Sequence, residues 1–268
     1  MKVLVCLKRI LDPEIPVRDF RVDAGGEQAD LTGANQVTNI FCENALETAL
    51  QMREADDELE ITAVSVGGEG VEDSLRKALA MKADQAVRVN AELSGPAHAG
   101  HLALVLSAVI RYLGGFDLIL LGRESGDWGL GLTGPYLAEA LGIPMVSFVD
   151  AIEREGDQLL MRRQTDDGWE RYRGAVPVLA TITNSDDNLP RIPKTRDIMK
   201  SARKPIETVS LEQIGICSET VAESNAGCRV ISLTVPEEEC VCEWIEGDSL
   251  EEKVEQLADR IAEIVRGV

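Results

Sequence analysis

Short apolar runs alternate with longer segments of helical period in the first half of the chain, and this rhythm constrains the fold more than any other feature. The runs, rich in β-branched residues and bounded by Gly, Asp or Asn, occupy residues 2–7, 60–66, 85–90 and 117–122. The helix-period segments occupy residues 42–55, 70–83 and 98–113. Strands that alternate with helices predict a parallel sheet with right-handed crossovers, so we expect a doubly wound α/β fold.

The pattern changes to period two after residue 144. It predicts antiparallel strands near 146–153, in a hairpin near 158–174, and at 177–183. An antiparallel edge on a mainly parallel sheet is common.

The C-terminal part carries fewer signals of regular structure. A strand is predicted at 228–235 and an amphipathic helix at 249–266. We therefore expect an α/β domain over 1–190, followed over 191–268 by a loop and a C-terminal arm that packs on the core or on another subunit.

The chain is strongly acidic. It has 268 residues with 47 Asp and Glu against 27 Lys and Arg, a formal net charge of -20. Such a surface argues against non-specific binding to nucleic acid or to anionic membranes. The apolar start is short and strand-like, and no run of about 20 apolar residues occurs, so we expect a cytoplasmic protein without membrane insertion.

Cysteine and histidine patterns give little support for a metal site. The six cysteines include no C-x-x-C pair, which favours reduced structural thiols over zinc or iron–sulfur ligation. His98 and His101 have i, i+3 spacing, and a solvated helix start is favoured over a metal site. No nucleophile, base or metal constellation stands out in the sequence.

A glycine-rich loop follows the strand at 117–122 and leads into "PYLAEAL". Glycine lets backbone amides approach a phosphate, and a helix N-terminus adds positive potential. Pro135 suits the first turn of that helix. The chain has neither a P-loop motif nor G-x-G-x-x-G after its first strand. Taken alone, the loop fits a nucleotide site and a flexible connector equally well.

Several segments, in order, resemble the beta subunit of electron transfer flavoprotein over about residues 1–210. They are "VLVCLKRILD", "TNIFCENALETAL", "SLRKALAMKAD", "LLGRESGDWGLGLTG", "RRQTDDGWE" and "IMKSARKP". The resemblance implies a Rossmann-like, adenine-nucleotide-hydrolase-like fold. It also implies an electron carrier subunit that pairs with an alpha subunit carrying the redox-active FAD, and that itself holds AMP or, in bifurcating relatives, a second FAD.

The resemblance also implies a nucleotide site. By motif position its residues are Cys6, Asn39, Ile40, Phe41, Cys42, Val66, Gly122, Arg123, Asp127, Gly129, Gly131, Leu132, Thr133 and Gly134. In that assignment Thr133 and the amides near Gly134 face phosphate. Asn39 and the backbone near Cys6 and Val66 frame adenine and ribose.

A docking segment for the electron partners, a flavin dehydrogenase and a downstream oxidoreductase, is implied in the same way. Its residues are Lys194, Thr195, Arg196, Ile198, Met199 and Lys200. Thr195 stands where the family has an apolar Leu anchor. Threonine cannot replace most of the about 1.5–3 kcal/mol that full burial of leucine supplies. We therefore expect a different partner, or a mainly electrostatic contact through Lys194, Arg196 and Lys200; a simple solvated loop is the alternative.

One alternative function remains to be considered from the residues. A stand-alone adenine-nucleotide-binding enzyme or sensor of a related α/β fold would need a well-spaced phosphate motif, and an enzyme also a catalytic acid or base. The sequence shows neither.

Overall fold

The structure is a computed structural model that describes residues 1–91, 99–217, 230–235 and 242–267. The chain divides into two units, Met1–Thr234 and Val235–Val268. The described strands are β1 (Lys2–Leu7), β2 (Arg9–Leu11), β3 (Gln36–Thr38), β4 (Glu60–Val66), β5 (Gln85–Asn90), β6 (Leu118–Gly122), β7 (Met145–Glu155), β8 (Gln158–Thr165), β9 (Gly168–Ala175), β10 (Val178–Ile182) and β11 (Glu207–Ser210). The described α-helices are α1 (Ile40–Ala55), α2 (Glu72–Ala80), α3 (Ala99–Tyr112), α4 (Thr133–Leu141), α5 (Thr195–Ser201) and α6 (Leu250–Arg266).

The first unit is built on one large sheet. Within the described residues its nine strands have the order β11-β5-β4-β1-β6-β10-β7-β8-β9. All neighbours from β11 to β7 are parallel, whereas β8 is antiparallel to both of its neighbours, β7 and β9. After β5 the chain returns to the centre to form β6, so the topological switch point lies between β1 and β6. The predicted doubly wound, mainly parallel fold is confirmed.

The strand at 178–182 departs from the prediction. It was expected to continue the antiparallel series, but β10 lies between β6 and β7 and is parallel to both. All five of its residues are buried, and a continuous apolar run is typical of a central parallel strand. The predicted strand at 228–235 is also wrong over residues 230–235, which form no strand; residues 228 and 229 lie outside the described residues.

Helices cover both faces of the sheet, and the side chains of β1 alternate between these two faces. Val3, Val5 and Leu7 pack on the face covered by α1 and α2. Leu4 and Cys6 pack on the face covered by α3 and α4. Apolar residues therefore occupy both alternating sets of β1, which is the pattern of a strand buried between two helical layers.

The prediction of a solvated helix start is wrong for His101. His101 lies on α3 and is buried, because α3 packs its apolar side on the sheet. His98 lies outside the described residues.

The second unit contains the predicted amphipathic helix, α6. Ser249 caps it, since its side chain accepts a hydrogen bond from Glu252 N at 3.2 Å. Its apolar side chains are exposed, among them Leu257 and Ile261. Whether this face packs on the core or on a partner stays a prediction. Among the residues that the structure describes, no helix is long and apolar enough to cross a membrane.

Candidate functional site

Three adjacent strands end together beside the topological switch point. Cys6 is buried near the end of β1, Val66 ends β4 and Gly122 ends β6. The carboxyl edge of an open parallel sheet at its switch point is where such folds bind ligands. The structure thus brings these three predicted residues to one edge.

Asn39 ties the start of α1 to the loop that follows β6. Its backbone N–H donates to the Lys8 carbonyl at 2.9 Å. Its buried side chain makes no capping bond to α1. Instead, Oδ1 accepts from Gly126 N at 3.1 Å and Nδ2 donates to Glu124 O at 2.8 Å. One buried amide therefore fixes the loop 123–132, which we call the switch-point loop.

Gly122 allows α1 to lie directly against the end of β6. A Cβ added at Gly122 would lie 2.8 Å from Phe41 Cβ, 2.9 Å from Phe41 C and 3.0 Å from Cys42 N. Two of these atoms are backbone, so the contact cannot be relieved by turning a side chain. The close approach explains why glycine occupies this position.

Lys8 supplies positive charge at the same edge. Its Nζ lies 2.7 Å from Asp127 Oδ1 and 3.1 Å from Ser125 Oγ. The side chain links the end of β1 to the switch-point loop that follows the neighbouring strand β6. Lys8 was not among the residues predicted for the site, since its partners in the switch-point loop are more than 100 residues away in sequence.

Arg123, the first residue of the switch-point loop, lies against two aromatic rings. Its guanidinium carbon lies 4.5 Å from the centroid of Phe41 and 5.5 Å from that of Phe148. Its Nη1 donates to Thr183 Oγ1 at 3.3 Å, and it forms an ion pair with Glu124 at 2.9 Å. Phe148 has a φ of 56°, a strained conformation for a non-glycine residue. Sequence reasoning missed Phe148, because a positive φ has no local sequence signal outside glycine and asparagine.

The end of the switch-point loop leads into α4. Gly129 and Gly131 have φ values of 61° and 64°, in the left-handed region that favours glycine. α4 begins at Thr133, and among the described residues no side chain caps it at Leu132. The N–H groups of a helix's first turn have no partner within the helix, so they can bind an anion.

The residues predicted for the nucleotide site differ in their exposure to solvent. Gly134 is buried against β10, where an added Cβ would lie 2.4 Å from Thr181 Cγ2. Ile40 is exposed on the first turn of α1, and Leu132 is exposed at the end of the loop. Gly134 thus has a packing reason to be glycine, besides any contact with a ligand.

The residues at this edge include groups of the kinds that bind a phosphate. A lysine ammonium, the open first turn of α4 and a loop containing two left-handed glycines lie along one sheet edge. Each is a recognised means of binding a phosphate.

Burial raises the pKa of the Cys6 thiol, and the nearby Cys42 raises it further. Burial also raises the pKa of Cys42, and an Asn39 hydrogen bond at 3.4 Å to its sulfur opposes this. The thiolate is the reactive form, so we expect both thiols to be unreactive in the folded protein.

We expect Cys6 and Cys42 to resist iodoacetamide at about pH 8.5 in the native protein, while the exposed Cys217 and Cys242 react. Mass mapping of labelled peptides measures this. The same labelling in guanidinium chloride should modify all four. Rapid native labelling of Cys6 would contradict the burial of the β1 end. Cys228 and Cys240 lie outside the described residues.

The predicted docking segment lies on and just before α5, which packs against α2. Its six residues are exposed: Lys194, Thr195, Arg196, Ile198, Met199 and Lys200. Arg76 holds the end of α5, since its Nη1 donates to Ser201 O at 2.9 Å. Nothing in this geometry conflicts with a docking role, which stays a prediction.

Comparisons with known proteins point to one family. A model of the electron transfer flavoprotein domain matches residues 30–214. The electron transfer flavoprotein subunit beta of Bacillus subtilis (strain 168) is 32% identical over 95% of this chain and 95% of its own. The corresponding subunit of Thermoanaerobacterium thermosaccharolyticum is 29% identical over 97% and 98%, and that of Megasphaera elsdenii 29% over 88% and 88%.

Proposed function

We propose that this chain, which belongs to the beta-subunit family of the electron transfer flavoproteins, binds a nucleotide at the β1–β6 edge and shuttles electrons as one half of a heterodimer with an alpha subunit. The observation that carries the nucleotide site is the tie between Asn39 and the switch-point loop. That tie fixes the loop beside Lys8 and the first turn of α4.

The nucleotide would be AMP or a second FAD. Lys8, Thr133 and the free amides at the start of α4 would hold phosphate. Asn39 and the backbone near Cys6 and Val66 would frame adenine and ribose. In either case this chain's own residues bind and orient, and its buried thiols take no part in chemistry.

The redox chemistry would be supplied by the FAD of the alpha subunit. This chain would act in the cytoplasm as a carrier subunit rather than as an enzyme in its own right. It would pass electrons from a flavin dehydrogenase to a downstream oxidoreductase. A second FAD in place of AMP would extend this role to electron bifurcation.

The docking segment would meet those partners through its cations. Lys194, Arg196 and Lys200 are exposed on a chain whose formal net charge is -20. Local positive charge on an acidic protein can steer a partner with a carboxylate-lined surface. Weak contacts of small area are usual for electron carriers.

Co-expression with an alpha-type subunit tests the proposal. We expect a yellow one-to-one complex that retains bound nucleotide through gel filtration. Acid extraction and chromatography should then give one FAD and one AMP per heterodimer, or two FAD. A colourless monomer that hydrolyses ATP would contradict the proposal and favour the stand-alone enzyme.

A further inference from the structure

The antiparallel strands β2 and β3 form a short ribbon at the carboxyl edge of the sheet, beside the candidate site. Arg9 pairs with Thr38 across the ribbon. Their neighbours Lys8 and Asn39 also lie opposite each other, since the Asn39 N–H donates to Lys8 O at 2.9 Å. Side chains of consecutive residues in extended chain point to opposite sides, so each pair of neighbours can reach two different parts of the molecule.

One member of each pair of neighbours contacts the switch-point loop. Lys8 Nζ lies 3.1 Å from Ser125 Oγ, and the Asn39 side chain bonds to Gly126 N and Glu124 O. The loop follows β6, which is the neighbour of β1 on one side. These contacts therefore fasten the ribbon to the side of the site on which phosphate is expected.

The other member of each pair contacts the chain that follows β4, the neighbour of β1 on its other side. Arg9 Nη1 donates to Gly70 O at 2.6 Å, and its Nη2 lies 2.9 Å from Asp73 Oδ2. Thr38 Oγ1 donates to Ser74 Oγ at 2.9 Å, and Ser74 is buried. The ribbon is thus fastened on both sides of β1, to the switch-point loop and to residues 67–74.

The guanidinium of Arg9 fits closely against residues 67–71, which we call the β4–α2 turn. A Cβ added at Gly70 would lie 2.6 Å from Arg9 Nη1. The side chain of Asp73 is 77% exposed, and an exposed ion pair contributes little to stability. The bond from the charged guanidinium to the Gly70 carbonyl is the stronger contact. Because its acceptor is a backbone atom, this bond fixes the main chain of the turn.

The β4–α2 turn continues directly from Val66, a residue expected to frame adenine and ribose. The Gly67 N–H donates to Val89 O at 2.9 Å. A Cβ added at Gly67 would lie 2.5 Å from Val71 Cγ1, so the end of the turn packs on its first residue. Holding Gly70 in place therefore also holds the backbone next to Val66.

We propose that Arg9 and Thr38 are positioning residues for the adenosine side of the nucleotide site, as Lys8 and Asn39 are for its phosphate side. The ribbon then sets the spacing between the two sides. The inference rests on the proposed function and deepens it, since it adds two residues that the family resemblance does not assign and gives each end of the nucleotide its own support. Arg9 acts on the nucleotide through the β4–α2 turn.

Gly70→Ala tests this role without changing any charge. The full-length chain, freed of bound nucleotide on charcoal, is titrated with AMP and with FAD, and the tighter ligand is kept; adenosine is then measured in competition with it. We expect Gly70→Ala to raise the Kd of the nucleotide and of adenosine by the same factor, about ten-fold, because the new methyl displaces the guanidinium and frees the turn. Gly68→Ala is the matched control, since nothing lies within 4 Å of a Cβ there, and should leave both Kd values unchanged.

Variants of the ribbon itself separate its two sides. Arg9→Met should reproduce the effect of Gly70→Ala, and the two together should add almost nothing, because both break the same contact. Thr38→Val should act in the same direction on both ligands and by less. Lys8→Met should raise the Kd of the nucleotide and leave that of adenosine little changed, because its ammonium lies on the phosphate side. Chemical unfolding should find Gly70→Ala as stable as Gly68→Ala, which a general loss of folding would not allow.

The outcomes separate this inference from the proposed function. If the wild type binds neither AMP nor FAD, the proposed nucleotide site is overturned and the positioning roles with it. If the wild type binds and Gly70→Ala keeps both Kd values, only the positioning roles are overturned. They are also overturned if adenosine does not compete in the wild type, or if Gly70→Ala weakens the nucleotide and leaves adenosine unchanged. Full additivity of Arg9→Met and Gly70→Ala would show that Arg9 does not act through the turn, and would overturn its role.

Discussion

Replacing Gly122 by alanine should lower the free energy of unfolding by about 3 kcal/mol, the upper end of what overpacking usually costs. The new methyl would lie 2.8 Å from Phe41 Cβ and 2.9 Å from the Phe41 carbonyl carbon. Relief requires α1 to move away from β6, because backbone atoms cannot rotate aside. That movement would carry Asn39 away from the switch-point loop, so we also expect bound nucleotide to fall well below one per chain.

Gly68→Ala is the matched control for this substitution. Nothing lies within 4 Å of a Cβ at Gly68, and its φ is -67°, which alanine adopts freely. We expect a change of no more than about 0.5 kcal/mol and full nucleotide content. Chemical unfolding and nucleotide extraction after desalting measure both quantities. Equal stability of the two variants would show that α1 can move without cost.

The sheet could be predicted from the sequence where the signal was local. β1, β4 and β5 each have the apolar composition of a buried strand, and each was placed within a residue. The pairing of β10 was predicted wrongly because its apolar run follows a hairpin of period two. No local sequence signal indicates that this strand returns to the interior of the sheet. Its parallel pairing with β6 depends on residues about 60 positions earlier.

The polar side of α1 shows the same limit. Asn44 and Glu47 lie off the apolar face, so the periodicity of an amphipathic helix predicts that they face solvent. They are buried because residues 185–191 cover them: Asn44 donates to Asn188 O, and Arg191, the partner of Glu47, is 144 residues away in sequence. Helical periodicity describes a face and cannot say which distant segment will cover it.

At the candidate site, the family resemblance identified residues that composition and periodicity alone do not indicate. Asn39 and Gly122 were selected by motif position, and the structure gives each a physical reason. Lys8 and Ser125 were not selected, since their contact with one another joins the ends of two strands 117 residues apart. A pairing of that kind becomes visible only when the order of the strands is known.

Asn39→Ala should destabilise the chain by about 2–3 kcal/mol and release the nucleotide. The substitution leaves Gly126 N and Glu124 O without the partners that now lie at 3.1 Å and 2.8 Å. A buried polar group that loses its partner costs roughly 1–3 kcal/mol. Because both groups belong to the switch-point loop, the loop should lose its fixed position beside Lys8, and nucleotide affinity should fall with it.

Asn39→Asp sharpens the test, since it keeps the size of the side chain and an acceptor for Gly126 N. It removes the donor to Glu124 O and places a carboxylate in a buried position beside that carbonyl. We expect it to lower stability and nucleotide content at least as much as alanine does.

Asn35→Ala is the control, because the side chain of Asn35 makes one exposed bond, at 2.7 Å to Asp12 Oδ2, and its loss should cost well under about 1 kcal/mol. Nucleotide retained at one per chain in both Asn39 variants would show that the loop is held by Lys8 and the glycines rather than by this buried amide.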